Sequence, residues 1–261
     1  PAALVSYLEE KQVTIMTWAV AALCLITSLH GLEGQTLSSV RRVMFSGEVM
    51  PVDHLRTWMD HLPEAVFVNL YGPTDCLYHI IDRDRAYDEG IPLGIAFPNR
   101  QVLLVGEDGS LVTEPGATGE ILVRGVSLAL GYVGDEKRTA AVFTQNPLHR
   151  RFPDRVYRTG DLGAYSDAGE LFYRGRRDNQ IKHQGHRVEL EEVDLAIEAV
   201  PGVTRCRCVY DKEKKRLIAF YEGTAEAAAL RGHALEAMPP FMMPTKILPI
   251  EAMPLTKNGK V

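Results

Sequence analysis

Two short apolar runs, each ending in glycine, constrain the fold of this chain more than any other feature. They are "VRRVMFSG" (Val40–Gly47) and "AVFVNLYG" (Ala65–Gly72), and both are typical of buried strands. Between them lies Pro51–His61, a helical pattern with proline in its first turn. Strand, helix and strand in this order predict a parallel α/β sheet. Ligands of such sheets bind beyond the carboxyl ends of the strands, so these two ends are the first candidates for a site.

The sequence pattern changes twice along the chain, which predicts three segments. Residues 1–95 alternate helical and strand patterns and are predicted as α/β. Residues 96–175 contain "RQVLLVGEDGSLV", two β-type runs joined by Asp-Gly, followed by the glycine-bounded "GEILVRG" and "GELFYRG". They predict an antiparallel sheet or a small barrel. Residues 176–261 combine an amphipathic helix, two strands around the charged turn "DKEKK", an Ala-rich helix and a last strand, which predicts a compact α+β unit.

Composition excludes some classes of function. The net charge of −5 and the lack of a basic stripe give no reason to expect nucleic-acid binding. The most apolar stretch, Val13–Leu29, is interrupted by threonines and is predicted as a strand and a core helix rather than a membrane span. The four cysteines lack metal-site spacing, and Cys206 and Cys208 would share one face of a strand as a reduced pair. We therefore expect a cytoplasmic protein.

The stretch "NLYGPTD" (Asn69–Asp75) follows the second glycine-ended strand and groups chemically useful side chains around a Gly-Pro turn. Tyr71 can stack on a base, while Thr74 and Asp75 can hold a metal ion or phosphate oxygens. The alternative is an ordinary helix start with Thr74 or Asp75 as its N-cap.

Three further stretches allow both a functional and a plain structural interpretation. "YRTGD" (Tyr157–Asp161) predicts a tight turn whose aspartate either accepts two ribose hydroxyls or caps its own turn. "GRRDNQIKHQGHRVELEEVD" (Gly175–Asp194) is either a hinge between domains or a polar linker. "PLTKNGKV" (Pro254–Val261) is either a loop that brings Lys260 to a phosphate or a solvated tail.

Several common catalytic motifs are missing from the sequence. There is no G-x-x-x-x-G-K-[ST] loop, no G-x-G-x-x-G and no H-E-x-x-H. Ser46 in "FSGE" does not belong to a G-x-S-x-G elbow. Hydrolase and Rossmann interpretations therefore lose their main support.

The order of the motifs is more specific than any one of them. The series "FSGE", "NLYGPTD", "GEILVRGVSLALGY", "YRTGDLG", "GRRDNQIKHQGHRVELEEVD", "MPPFMMP" and "PLTKNGK" resembles the core motifs of the adenylate-forming enzymes. It is most similar to amino-acid adenylation domains of nonribosomal peptide synthetases and to D-alanine–carrier-protein ligases. The resemblance covers nearly the whole chain. It implies the C-terminal half of a larger enzyme, inactive alone: a partial α/β subdomain (1–95), a β-barrel-like subdomain (96–175) and a small mobile α+β lid (176–261).

The resemblance also implies roles for individual residues. Tyr71 would stack on adenine, Asn69 would lie near its amino edge, and Thr74 would touch the α-phosphate. Asp75 stands where the family usually has glutamate as a magnesium ligand. Asp161 would bind the ribose hydroxyls, with the rest of the nucleotide site supplied by Gly72, Tyr173 and Arg176.

The remaining implied roles concern catalysis, movement and substrate choice. Lys260 matches the catalytic lysine, Asp178 the hinge between the large domain and the lid, and Gly185 the thiolation loop that approaches the pantetheine arm. The predicted substrate pocket consists of Ser46, Leu70 and Tyr78.

The implied activity is ATP-dependent adenylation of an amino-acid carboxylate, followed by thioester transfer to the phosphopantetheine of a carrier protein. ATP and Mg²⁺ would be required, and the partners would be the amino acid, the carrier protein and the missing N-terminal half. Two alternatives stay open: an acyl- or aryl-CoA ligase of the same superfamily, and a non-catalytic nucleotide- or carrier-binding fragment. The sequence does not identify the amino acid, since the decisive pocket residues of the family lie upstream.

Overall fold

The computed structural model describes residues 1–72, 76–177, 180–211 and 214–254. The chain forms two compact units, Pro1–Arg177 and Asp178–Val261. Among the described residues, no helix has the length and apolar character needed to cross a lipid bilayer.

The first unit begins with a mixed α/β layer, in agreement with the predicted parallel sheet. Strands β1, β2 and β3 pair in parallel, and two antiparallel strands extend the sheet in the order β1-β2-β3-β4-β5. In chain order the elements are α1 (Ala2–Glu10), β1 (Ile15–Ala19), α2 (Val20–Ser28), β2 (Arg42–Ser46), α3 (Val52–His61), β3 (Val66–Tyr71), β4 (Leu77–Ile80) and β5 (Ile95–Ala96).

Helices α2 and α3 pack together around fully buried aromatic and aliphatic side chains. Phe45 of β2, Phe67 of β3 and Trp58 of α3 belong to one apolar cluster. The Trp58 indole Nε1 donates to the backbone carbonyl of Leu23 in α2 at 3.1 Å, so the polar atom of this buried ring is satisfied. This core fixes the strands whose carboxyl ends carry the candidate site.

The second part of the first unit is an antiparallel sheet. Its strand order is β10-β9-β7-β6, and β8 pairs with β9. The elements are β6 (Arg100–Val105), β7 (Thr118–Gly125), α4 (Glu136–Val142), β8 (Phe143–Gln145), β9 (Arg155–Tyr165) and β10 (Leu171–Arg176). The predicted antiparallel sheet is present, whereas its closure into a barrel stays a prediction.

Two local predictions in this sheet need correction. The second run of the "RQVLLVGEDGSLV" hairpin contributes only an isolated bridge, between Val105 and Leu111, and β6 pairs instead with β7. Pro115 follows soon after, and proline lacks the N–H group that a ladder needs. The stretch "YRTGD" is not a tight turn but lies within β9, where the pairing register with β7 shifts and Gly160 has a φ of 73°.

The second unit contains a hairpin and a three-stranded sheet with two helices. Strand β13 is antiparallel to β14, and β15 is parallel to β14. The elements are β11 (Gln180–His183), β12 (His186–Glu189), α5 (Leu190–Glu198), β13 (Val203–Asp211), β14 (Arg216–Gly223), α6 (Ala227–Ala237), a 3₁₀ turn (Pro240–Met242) and β15 (Lys246–Pro249). This arrangement agrees with the α+β pattern read from the sequence.

The edge strand β13 is covered by carboxylates from helix α5. The backbone amides of Cys206 and Cys208 donate to Glu198, at 2.7 Å, and to Asp194. Both thiols are free and buried in an apolar cluster that includes Val193 and Ile197 of α5. Burial raises the pKa of each thiol to about 12, so both stay protonated and unreactive at neutral pH.

The loop before β5 yields a stability prediction. A Cβ at Gly94 would lie 2.0 Å from the carbonyl oxygen of Tyr78, whereas one at Gly90 would meet nothing within 4 Å; their φ angles are 87° and 90°. Gly90→Ala should therefore lower the free energy of unfolding by about 1 kcal/mol, from backbone strain alone. Gly94→Ala should lower it by about 3 kcal/mol or more, because backbone must also move.

Tryptophan fluorescence during urea unfolding measures this difference, since both tryptophans, Trp18 and Trp58, lie in the first unit. Equal losses in the two variants would contradict the close approach of Gly94 to β4.

Candidate functional site

The carboxyl end of β3 carries two predicted nucleotide-binding residues on one face. Asn69 and Tyr71 are two positions apart in the strand, so their side chains point to the same side of the sheet. The Asn69 side-chain Nδ2 donates to the carbonyl of Pro92 at 3.0 Å. This bond orients the buried amide, and Oδ1 remains as its acceptor.

A buried carboxylate joins Tyr71 to the antiparallel sheet. The Tyr71 hydroxyl donates to Asp161 Oδ2 at 2.6 Å, although the two residues are 90 positions apart. Arg176 Nη1 donates to Asp161 Oδ1 at 2.7 Å and to the carbonyl of Thr159 at 3.0 Å. Asp161 is 6% exposed and Tyr71 7%. Two residues predicted for one site therefore both bond to a third, and we call the three the Tyr71–Asp161–Arg176 cluster.

The bulge in β9 orients the Asp161 side chain toward Tyr71 and Arg176. The Thr159 hydroxyl donates to the carbonyl of Ile121 at 2.6 Å and accepts from the Asp161 amide at 3.0 Å. The Arg177 amide donates to the carbonyl of Gly160 at 2.8 Å. The Thr159 hydroxyl thus caps the backbone at the bulge, a role that the sequence suggested for Asp161. The Asp161 carboxylate is therefore available to bond with Tyr71 and Arg176.

The charges in the cluster are balanced. Burial, followed by the negative charge and hydrogen bond of Asp161, raises the pKa of Tyr71 well above its ordinary value. Tyr71 is therefore a neutral donor, and the guanidinium of Arg176 offsets the charge of Asp161. A carboxylate has about four acceptor positions, of which two are used here. The two that remain fit a pair of vicinal hydroxyls, as on a ribose.

The ring of Tyr71 is less available than the base-stacking prediction requires. It packs into an apolar cluster with Cys76, Leu77 and Leu93 and is almost fully buried. Stacking on a base would need one face of this ring to become exposed.

The three predicted pocket residues lie side by side on neighbouring strands. Leu70 is directly opposite Tyr78 in the β3–β4 pair. Phe45 is paired with Asn69, so the register of β2 and β3 brings Ser46 beside Leu70. Because side chains alternate along a strand, this row lies on the face opposite to Asn69 and Tyr71. The Tyr78 ring packs on Phe97, with ring centroids 4.6 Å apart.

The predicted glycines occupy positions that need glycine. Gly72 has a φ of 129°, and a Cβ there would lie 2.6 Å from the sulfur of Cys76. In the second unit, Gln184 and Gly185 have φ angles of 53° and 81° and form the two-residue turn between β11 and β12. Tyr173 lies in β10 at the edge of the apolar cluster around Tyr71.

Four predicted functional residues lie outside the described residues: Thr74, Asp75, Asp178 and Lys260. Within the described ranges, no group of three or more His, Cys, Asp or Glu side chains is placed to hold a metal ion. Their roles, and magnesium binding at Asp75, stay predictions.

Sequence reasoning missed two residues that contact this region. Pro92 supplies the carbonyl that orients Asn69. Glu120 is buried in β7 and bonds to the β9 bulge. Glu120 carried one local signal, a carboxylate among the apolar residues of "GEILVRG".

Family models match both units. The model described as AMP-binding enzyme matches residues 1–133, and the model described as AMP-binding enzyme C-terminal domain matches residues 192–260. The chain belongs to the AMP-binding enzyme family. The resemblance inferred from the ordered motifs is confirmed.

Two curated relatives are named as ligases of an amino acid and a carrier protein. One is the L-proline–[L-prolyl-carrier protein] ligase of Streptomyces coelicolor, 34% identical over 272 residues that cover 99% of this chain and 49% of the relative. Another is the D-alanine–D-alanyl carrier protein ligase of Bacillus mycoides, 30% identical over 279 residues that cover 100% of this chain and 54% of the relative. The chain thus spans about half the length of these relatives.

A solved structure agrees in fold. It is holo-PA1221, described as a nonribosomal peptide synthetase protein with adenylation and PCP domains bound to a vinylsulfonamide inhibitor. The TM-score is 0.82 at 30% identity, over 98% of this chain and 45% of that one.

The raised pKa of Tyr71 predicts a specific alkaline behaviour. The folded chain keeps this phenol protonated above pH ~10, where the unfolded chain releases the proton, so Tyr71 lowers stability as pH rises beyond that point. In Tyr71→Phe the alkaline loss of stability should be smaller.

Absorbance of the phenolate in the folded chain gives the direct test. Tyr71→Phe should leave the increase in phenolate absorbance between about pH 9 and pH 11 unchanged. A decrease of roughly one tenth, the share of one among 10 tyrosines, would show instead that Tyr71 ionises normally.

Proposed function

We propose that this chain is the nucleotide-binding and lid-bearing part of an ATP-dependent ligase that adenylates an amino acid and transfers it to a carrier-protein thiol. The observation that carries the proposal is the Tyr71–Asp161–Arg176 cluster, which lies at the carboxyl end of the parallel sheet. A balanced carboxylate with unused acceptor positions is suited to a ribose diol. The family membership supports a nucleotide as the ligand.

In this proposal Asp161 binds the ribose of the nucleotide and Asn69 binds its base. Asp161 accepts the two ribose hydroxyls, and Arg176 and Tyr71 hold its carboxylate in place. Asn69 Oδ1 accepts from the adenine amino group, because Nδ2 is engaged by Pro92. Gly72 lies so close to the sulfur and the backbone nitrogen of Cys76 that only a residue without a Cβ fits there.

The first chemical step joins two anions. A carboxylate oxygen of the amino acid bonds to the α-phosphorus of ATP while the bond to the bridging oxygen breaks, and pyrophosphate leaves with that electron pair. Thr74 and Lys260 are proposed to contact the phosphate and carboxylate oxygens, so that both reactants are held in line. Mg²⁺, held by Asp75, would neutralise phosphate charge.

The second step makes the thioester. The pantetheine sulfur attacks the acyl carbon of the adenylate, AMP leaves with the bonding electrons, and the thiol proton is released. We assign Gly185, at the tip of the β11–β12 hairpin, to the loop that the pantetheine arm approaches. We assign Asp178 to the hinge about which the lid rotates between the first and the second step. Ser46, Leu70 and Tyr78, which form one row across three strands, are proposed to line the acyl pocket.

Amino acids are favoured over fatty and aryl acids as substrates. The names of two relatives specify proline and D-alanine with carrier proteins, and both relatives align with nearly all of this chain. ATP–pyrophosphate exchange by the full-length parent protein, over panels of amino acids, fatty acids and aryl acids, tests the choice. Exchange with an amino acid supports the proposal, exchange with fatty or aryl acids alone indicates an acid–CoA ligase, and AMP binding without exchange indicates a non-catalytic protein.

Asp161 gives the corresponding residue-level prediction. Asp161→Ala should lower kcat/KM for ATP in the exchange reaction by about 10- to 100-fold, because it removes charge-assisted hydrogen bonds worth about 1.5–3 kcal/mol. The matched control is Asp167→Asn, an exposed aspartate in the turn that follows β9. If Asp161→Ala is folded and exchanges as fast as the control at low ATP, Asp161 does not bind the nucleotide.

A further inference from the structure

Glu120 is a buried carboxylate that the proposed mechanism does not use. It lies in β7 and is 6% exposed. Its Oε2 accepts from the guanidinium groups of Arg158 and Arg177, the latter at 3.1 Å. Its Oε1 accepts from the backbone amide of Gly160 at 3.2 Å. One side chain thus bonds to three points around the β9 bulge.

The bond to Gly160 is the one that matters for the candidate site. Gly160 immediately precedes Asp161 and has a φ of 73°, a conformation reserved largely for glycine. At such a bulge the regular ladder is interrupted, so the backbone groups need other partners. Glu120 supplies an acceptor for the Gly160 amide, and the Arg177 amide supplies a donor for the Gly160 carbonyl.

The two arginines hold the Glu120 carboxylate in place. Arg158 precedes the bulge in β9, and Arg177 is the last residue of the first unit. Arg177 is 62% exposed, so its ion pair is screened by water and adds little stability. Arg158 is half-buried, and its charge compensates the buried Glu120. Glu120 is therefore held by both guanidinium groups while it bonds to the bulge.

We infer that Glu120 is a positioning residue for nucleotide binding. It fixes Gly160 and so holds the Asp161 carboxylate at the location where the ribose hydroxyls would bind. This inference rests on the proposed function, in which Asp161 binds the ribose. The bond from the Gly160 amide to Glu120 lies one residue before Asp161, so the effect of Glu120 on Asp161 passes through the backbone.

The test compares ATP with 2′,3′-dideoxy-ATP in the exchange reaction of the full-length parent protein. Glu120→Ala removes all three bonds, whereas Glu120→Gln keeps the side-chain shape and an acceptor for the Gly160 amide. The matched control is Glu170→Gln, because Glu170 forms a bidentate ion pair with Arg85, at 2.7 and 2.8 Å, away from the bulge. Comparing the Glu120 variants with Glu170→Gln thus separates the loss of the Glu120 bonds at the bulge from the general effect of losing a carboxylate.

The expected result depends on the ribose hydroxyls. Glu120→Ala should raise KM for ATP about tenfold with kcat little changed, and Glu120→Gln should raise it less. With the dideoxy nucleotide, wild type and both variants should have the same KM, and Glu170→Gln should match wild type with both nucleotides.

Two results would overturn the inference about Glu120 while leaving the ribose role of Asp161 intact. One is an equal increase in KM for both nucleotides, which indicates a general structural role. The other is an unchanged KM for ATP in Glu120→Ala or, if that variant does not fold, in Glu120→Gln. If wild type itself does not distinguish ATP from the dideoxy nucleotide, the ribose role of Asp161 fails first, and the inference about Glu120 fails with it.

Discussion

The buried carboxylate of Asp161 is the interaction on which the candidate site depends. A carboxylate at this depth is tolerated only when it is paired and hydrogen-bonded, and its two partners come from different strands. Tyr71 ends a strand of the parallel sheet, while Arg176 ends a strand of the antiparallel sheet. Satisfying one charge therefore ties the two sheets of the first unit together at the point where the parallel strands end.

The bulge in β9, and the hydrogen bonds that hold the bulge, orient the Asp161 carboxylate. Gly160 interrupts the β9 ladder, and Thr159, Arg177 and Glu120 take up the backbone groups that the interruption leaves. None of these bonds is strong alone, since a typical hydrogen bond contributes about 1 kcal/mol net. Together they restrict a short segment to one conformation. Binding and catalytic sites gain from such rigidity, because a misplaced group loses much of its effect.

Sequence patterns predicted the elements well where the signal is local. Strands β2 and β3 and helix α3 follow from apolar runs, glycines and a first-turn proline, and their bounds differ from the predictions by at most two residues. The residues Tyr71, Asp161 and Arg176 were found through their motifs. The bulge at "YRTGD" and the role of Glu120 were not, because both depend on pairing with β7, which is distant in sequence. The alignment of Ser46, Leu70 and Tyr78 in one row likewise depends on the register between strands, which a local sequence pattern does not predict.

The most direct test is a crystal structure of the full-length parent protein with AMP bound. The account predicts that both ribose hydroxyl oxygens lie within about 3.2 Å of the Asp161 carboxylate, with Tyr71 and Arg176 still bonded to it. A structure in which AMP binds elsewhere, and Asp161 keeps only its bonds to Tyr71 and Arg176, would contradict the assignment of this cluster as the nucleotide site.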